Sequence, residues 1–167
     1  LPVGGYDLII SYTGYERQIQ RITTADATRP ITIEIKQKEK ALEEVAIKSN
    51  SEVKNGWEKY GNFFTEHFIG NTANGKKCVI KNPDSLKFFF YRKKNRLKIL
   101  ANAPIEIENN ALGYTIQYVL DSFAYEYNTK TCIYTGNPLF KEMVPANDVQ
   151  RAQWQENRET AYGGSLL

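Results

Sequence analysis

The chain is poor in the residues that carry chemistry. Its 167 residues include one histidine, His67, and two cysteines, Cys78 and Cys132. A single histidine excludes the His-Glu-x-x-His pair of a zincin, although Glu66 stands beside it. A serine triad would have to use His67 as its base, and no Gly-x-Ser-x-Gly elbow is present to hold the nucleophile. The cysteines lack the close spacing of a zinc site. They form either one disulfide or two buried thiols acting as small hydrophobes, and the thiol reading is preferred. No acidic loop of the calcium-binding type occurs, nor a Gly-rich loop that would cradle phosphate. No cofactor and no metal are called for. No apolar run approaches the roughly 18 residues of a membrane span. The net charge of +3 is too small to argue for a nucleic-acid partner without a clustered basic footprint.

What the chain does have is β-pattern and aromatic rings. Eleven tyrosines, eight phenylalanines and two tryptophans supply material for cross-strand aromatic pairs. From Leu86 to Tyr134 the sequence runs through short β-branched and aromatic segments of period two, separated by polar turns, which predicts an antiparallel meander. In the longest segment the apolar positions are first Tyr114, Ile116, Tyr118 and Leu120, then Phe123, Tyr125 and Tyr127. That flip of phase needs one extra residue and predicts a bulge or sharp bend near Leu120–Ser122. Gly136-Asn-Pro138 is expected to end the strand that follows, with a short final strand over 139–143.

Before the meander, Val53, Trp57, Tyr60, Phe64 and Phe68 recur at helical spacing and predict a helix packed across the sheet. Glu52 and Glu58 suit its N-terminal end, Gly61 is expected to interrupt it, and Gly70-Asn71 to stop it. After Pro145, Asn147 or Asp148 is positioned to cap a second helix from Val149 to about Ala161, stopped by Gly163-Gly164. Near the start, residues 6–12 and 18–24 read as strands joined by a turn at Gly14. A polar loop spans 25–30, Ile31-Thr-Ile-Glu-Ile-Lys36 alternates as a further strand, and 42–48 forms a strand or linker. Ser49 to Gly56 is a polar joint between domains. The predicted class is therefore mainly β with some α (α+β): a partial β-sandwich over 1–48, then a module over 52–167 built as an antiparallel meander sheet with two helices.

Residues 1–48 resemble the last half of a carboxypeptidase regulatory-like domain. The resemblance is carried by Leu1-Pro-Val-Gly-Gly-Tyr6, Tyr12-Thr-Gly-Tyr-Glu16, the alternating Ile31–Lys36 segment and Leu42-Glu-Glu-Val45. It implies a transthyretin-like sandwich whose front half is missing, and so a chain that is part of a longer protein; the apolar Leu166-Leu167 end leads to the same expectation. Phe68-Ile-Gly-Asn-Thr72, Leu112-Gly-Tyr-Thr-Ile-Gln-Tyr-Val-Leu120 and Trp154-Gln-Glu-Asn-Arg-Glu-Thr-Ala-Tyr-Gly-Gly-Ser165 are similar to the module that follows such domains in exported Bacteroidetes proteins of unknown function. That resemblance implies export, with a periplasmic or outer-membrane location, and no chemistry.

Candidate sites are weighed against plainer roles. Glu106 and Glu108 share a strand face about 7 Å apart, within glycosidase range, but alternation with Ile105 and Ile107 puts them on a solvated face. Glu43-Glu44 and Asp121/Glu126 are no better placed. Arg92, Lys93, Lys94 and Arg96 follow Phe88-Phe-Phe-Tyr91 and form a basic hairpin tip. Such a tip ordinarily keeps a turn solvated, and contact with an acidic polysaccharide is its more plausible minor use. Trp154, Arg158 and Tyr162 stand at i, i+4 and i+8 on the last helix. They either pack it on the sheet or mark a partner surface, and the partner reading is preferred because all three keep polar ends. The functional expectation is a non-enzymatic envelope module that docks, spaces or binds, with the remainder of its own chain or another envelope protein as partner. A carbohydrate-binding module, or an accessory domain of a hydrolase whose catalytic residues lie elsewhere, is the alternative. Folding without a metal predicts a melting temperature unchanged by chelator; a fall of several degrees would place a structural metal in the fold.

Overall fold

The structure is a computed structural model and describes residues 3–10, 12, 15–37 and 51–164. It is an α+β protein dominated by antiparallel strands, and the chain divides into two compact units, 1–46 and 47–167.

In the first unit, strands β1 (Gly5–Ile10) and β2 (Gln18–Thr23) pair antiparallel from Gly5↔Thr23 to Ile10↔Gln18. An Arg21–Asp7 ion pair at 3.0 Å lies across them on the exposed side. The expected loop after β2 is a 3-10 turn over Thr24–Thr28. The Asp26 carboxylate accepts from the Thr23 hydroxyl at 2.7 Å and the Thr23 N–H at 2.8 Å, and these bonds hold its pKa below the ordinary value. Ile31–Lys36 does not form the strand its alternation predicts. At its end the Glu16 N–H donates to the Lys36 carbonyl at 2.7 Å, and just beyond it Gln37 bridges Tyr15. Alternation selects which side chains turn inward, and Ile33 and Ile35 are indeed half-buried; a ladder also needs a neighbouring strand in register. The expected turn at Gly14 and the segment 42–48 lie outside the described residues.

The second unit opens with an extended contact. Val53 donates its N–H to the Phe88 carbonyl at 2.8 Å, and Glu52 bridges Phe89. Val53 and Glu52 therefore precede the helix instead of belonging to it, and Glu52 pairs with Lys87 at 3.9 Å. Helix α1 spans Gly56–Phe68 and runs unbroken through Gly61. A Cβ at Gly61 would stand 2.8 Å from the Trp57 ring, so the residue that looked like an interruption is a seat for an aromatic. Gly70, at φ 91°, ends the helix as expected.

Strands β3 (Cys78–Ile80), β4 (Leu86–Tyr91), β5 (Arg96–Ala101), β6 (Ile105–Asn109), β7 (Tyr114–Glu126) and β8 (Thr131–Glu142) form one antiparallel sheet. Strand β7 organises it. Its first half pairs with β6, its second half with β5, and its other side with β8 along its whole length. The register slips between Leu120 and Ser122, where the change of apolar phase demands an extra residue. The bulge keeps Ile116, Tyr118, Leu120, Phe123 and Tyr125 turned toward one core. Phe64 of α1 is fully buried at its centre, edge-on to Phe123 at 5.1 Å and stacked on Phe68 at 4.9 Å, above Leu97, Ile99 and Ile105.

Strand β8 does not end at Gly136-Asn-Pro138 but continues to Glu142. It has a strand partner on one side only among the described residues, and an edge strand tolerates a proline whose missing N–H faces away from its neighbour. Helix α2 spans Asp148–Gly164. The Asn147 side chain accepts from the Gln150 N–H at 2.9 Å, and Gln150 reaches back to the Ala146 N–H at 2.6 Å, closing the N-terminal turn. Gly163 and Gly164 are the last described residues of the helix. Replacing the central ring, Phe64→Ala, is expected to cost about 3–5 kcal/mol in equilibrium unfolding by denaturant; a loss below about 1 kcal/mol would mean that α1 is not the lid of this core.

Candidate docking surfaces

The turn between β6 and β7 explains where α2 sits. Asn109 is buried, and its side-chain oxygen accepts from the N–H groups of Ala111 at 3.1 Å and Leu112 at 3.0 Å. That bend, completed by Gly113 at φ 67°, turns consecutive carbonyls outward. Helix α2 meets each of them. The Trp154 indole donates to Asn110 O at 3.0 Å and the Asn157 amide to Ala111 O at 2.7 Å. Arg158 donates to Leu112 O at 2.7 Å and to Gly113 O at 3.2 Å. Its guanidinium also lies 4.1 Å from the Tyr114 ring centroid and pairs with Glu142 at 3.3 Å. Gly113 must be glycine on two counts: its φ, and the Trp154 ring 2.2 Å from where a Cβ would stand.

This corrects the expectation of a Trp154–Arg158–Tyr162 partner surface. Trp154 is only 6% exposed and Arg158 is half-buried, whereas Tyr162 is 70% exposed. Each step of four residues turns a helix by about 400°, so two steps carry Tyr162 about 80° off the line of Trp154, while positions three, four and seven later lie within about 60° of it. The docking face is thus Trp154, Asn157, Arg158 and Ala161. Val149, near the start of the helix, points into solvent. Asn157 was not legible as functional; its spacing from Trp154 was the available signal.

The basic tip is real but partly committed. Residues Arg92–Lys94 form a 3-10 turn, Asn95 takes φ 47°, and its amide donates to Asn128 Oδ1 at 2.8 Å. Arg96 is ion-paired with Glu126 on β7. Arg92, Lys93 and Lys94 remain exposed. Phe88 belongs to the core, Phe90 packs against it and Phe89 is buried, so the neighbouring rings offer no stacking platform.

His67 is wrapped in rings. Its Nδ1 lies 2.9 Å from Phe63 O, and its ring stacks on Phe63 at 4.0 Å and meets Tyr125 edge-on at 4.8 Å. Nearby, burial and then the neighbouring Tyr60 and Tyr125 raise the pKa of Tyr127. Glu106 is exposed and Glu108 pairs with Lys81 at 3.3 Å, on the side of the sheet away from α1. Cys78 and Cys132 are free thiols, each with its pKa raised by burial. Among the described residues no three His, Cys, Asp or Glu side chains gather as metal ligands, and no helix is long and apolar enough to cross a membrane.

Several large apolar side chains of β8 are exposed: Ile133 is 62% exposed, Leu139 65%, Phe140 59% and Tyr134 41%. Ile133 and Leu139 lie on the face away from α1. Tyr134, stacked parallel to Phe123 at 6.1 Å, and Phe140, edge-on to Tyr114, lie on the α1 face. Sequence inspection passed over this strand because it was broken in two at Pro138; apolar residues on both faces were the signal. No family model, curated protein or solved structure matches the chain.

With its indole buried and bonded, Trp154→Ala is expected to lower stability by about 3–5 kcal/mol, while Val149→Ala stays within about 0.5 kcal/mol. Equal small effects in denaturant unfolding would return Trp154 to the surface.

Proposed function

We propose that this chain is a non-enzymatic docking module whose contact surface is the outer strand β8. The observation that carries the reading is an apolar strand, exposed on both faces, at the edge of an otherwise well-packed sheet. Soluble proteins ordinarily blunt such an edge with charge or cover it, and contiguous exposed apolar area marks a contact site. The charged residues of β8 are confined to its end, at Lys141 and Glu142. Catalysis has less support: His67 keeps company with rings and a carbonyl, and Glu108 is held by Lys81. Placement at the cell envelope, with an envelope protein or the rest of a longer chain as partner, is supported by the sequence resemblances alone.

A photo-crosslinking amino acid at position 139 is expected to give protein adducts, and the same group at exposed position 153 on α2 few or none. Equal labelling at both positions would overturn the reading. So would binding to soluble polysaccharide that is lost on Tyr134→Ala, which would favour a carbohydrate module.

A further inference from the structure

The direction of the backbone groups on β8 can be read from the bonds at its end. Met143 donates its N–H to Gly113 O at 2.9 Å, on the β7 side. Backbone groups alternate sides along an antiparallel strand. Odd-numbered residues of β8 therefore turn their N–H and C=O toward β7, and Cys132, Tyr134, Phe140 and Glu142 turn theirs outward. Pro138 belongs to the outward set, which puts its missing N–H where β7 does not need it.

We propose that the occupant of this edge is the β8 strand of a second copy of this chain, paired antiparallel about a two-fold axis at Gly136. This rests on the docking reading above. The register follows from side-chain complementarity. Residues directly opposite must share a face, so the axis must fall on a residue and not between two. With the axis at Gly136, Ile133 faces the partner's Leu139, and by symmetry Leu139 faces the partner's Ile133. The two most exposed apolar side chains of the strand thereby cover each other. On the α1 face Cys132 meets the partner's Phe140, and Tyr134 meets the partner's Pro138. Moving the axis one residue either way puts Ile133 opposite the partner's Asn137 or the partner's Lys141 and loses the match. The backbone ladder is carried by Cys132, Phe140 and Tyr134; Tyr134 donates to the partner's Pro138 carbonyl, which has no N–H to return. A two-fold contact of this kind uses the same patch on both copies and closes on itself.

The test is the association state of the 167-residue chain, measured by sedimentation over about 1 to 500 µM with circular dichroism as a check on folding. The expected result is a concentration-dependent dimer. Ile133→Lys should weaken it by about tenfold or more, from two lost apolar pairs. Ile133→Lys combined with Leu139→Glu in the same chain should recover most of the loss, because each lysine then faces the partner's glutamate. Val79→Lys, at an exposed site on β3, should change nothing. A dimer that Val79→Lys weakens as much, or one that the double variant fails to recover, forms elsewhere and overturns the proposal. A chain that stays monomeric at every concentration also overturns it. If adducts at position 139 then go selectively to a different protein, the docking reading stands without its second copy; if they are not selective, both fall.

Discussion

The fold depends on one extra residue. Strand β7 must serve two neighbours in succession, β6 and then β5, while staying paired with β8 throughout. A regular strand of that length would turn half of its apolar side chains away from α1, since a shift of one residue exchanges the faces. The slip between Leu120 and Ser122 absorbs the mismatch, so that Tyr118 and Leu120 before it and Phe123 and Tyr125 after it reach the same core. The placement of α1 follows. Its aromatic face lies over the second half of β7, where Phe64 meets Phe123 and Phe63 meets Tyr125.

Much of this was legible in the order of residues, because burial imposes period on sequence. The bulge was visible as a break in period two, and α1 as a period near four in its rings. What escaped was everything that depends on a neighbour. The Ile31–Lys36 segment has the alternation of a strand and forms none, since alternation selects a face and cannot supply a partner. Gly61 looked like a flaw because the ring that occupies its space, Trp57, enters only in three dimensions. Gly136-Asn-Pro138 looked like an ending because the tolerance of a strand for proline depends on which side is open. On α2 the right residues drew attention for the wrong face: Trp154 and Arg158 were expected to meet a partner, and they meet the chain itself.

The two ends of the second unit use polar atoms differently. Around α1 the contacts are ring on ring, and His67 is drawn into that set by stacking. Around α2 the contacts are hydrogen bonds from side chains to backbone oxygens, with few apolar atoms besides the Trp154 ring. Without these bonds the Asn110, Ala111 and Leu112 carbonyls turned outward by the Asn109 bend would look to water, whereas Gly113 O also accepts the Met143 N–H. Charge-assisted donors such as Arg158 satisfy them more strongly than neutral ones, and the Tyr114 ring and Glu142 hold that guanidinium in place.

The carbonyl recognition at the β6–β7 turn also distributes mutational tolerance unevenly. The helix reads main-chain oxygens at positions 110 to 113, and those oxygens are present whatever side chains stand there. Substitution at Asn110, which is exposed, or at Leu112 leaves every acceptor in place, provided the bend survives. The donors have no such freedom, since an indole, an amide and a guanidinium are each required by identity. Sequence drift at this contact is therefore expected to accumulate on the strand side and be resisted on the helix side, with Asn109 and Gly113 as the fixed points that shape the bend.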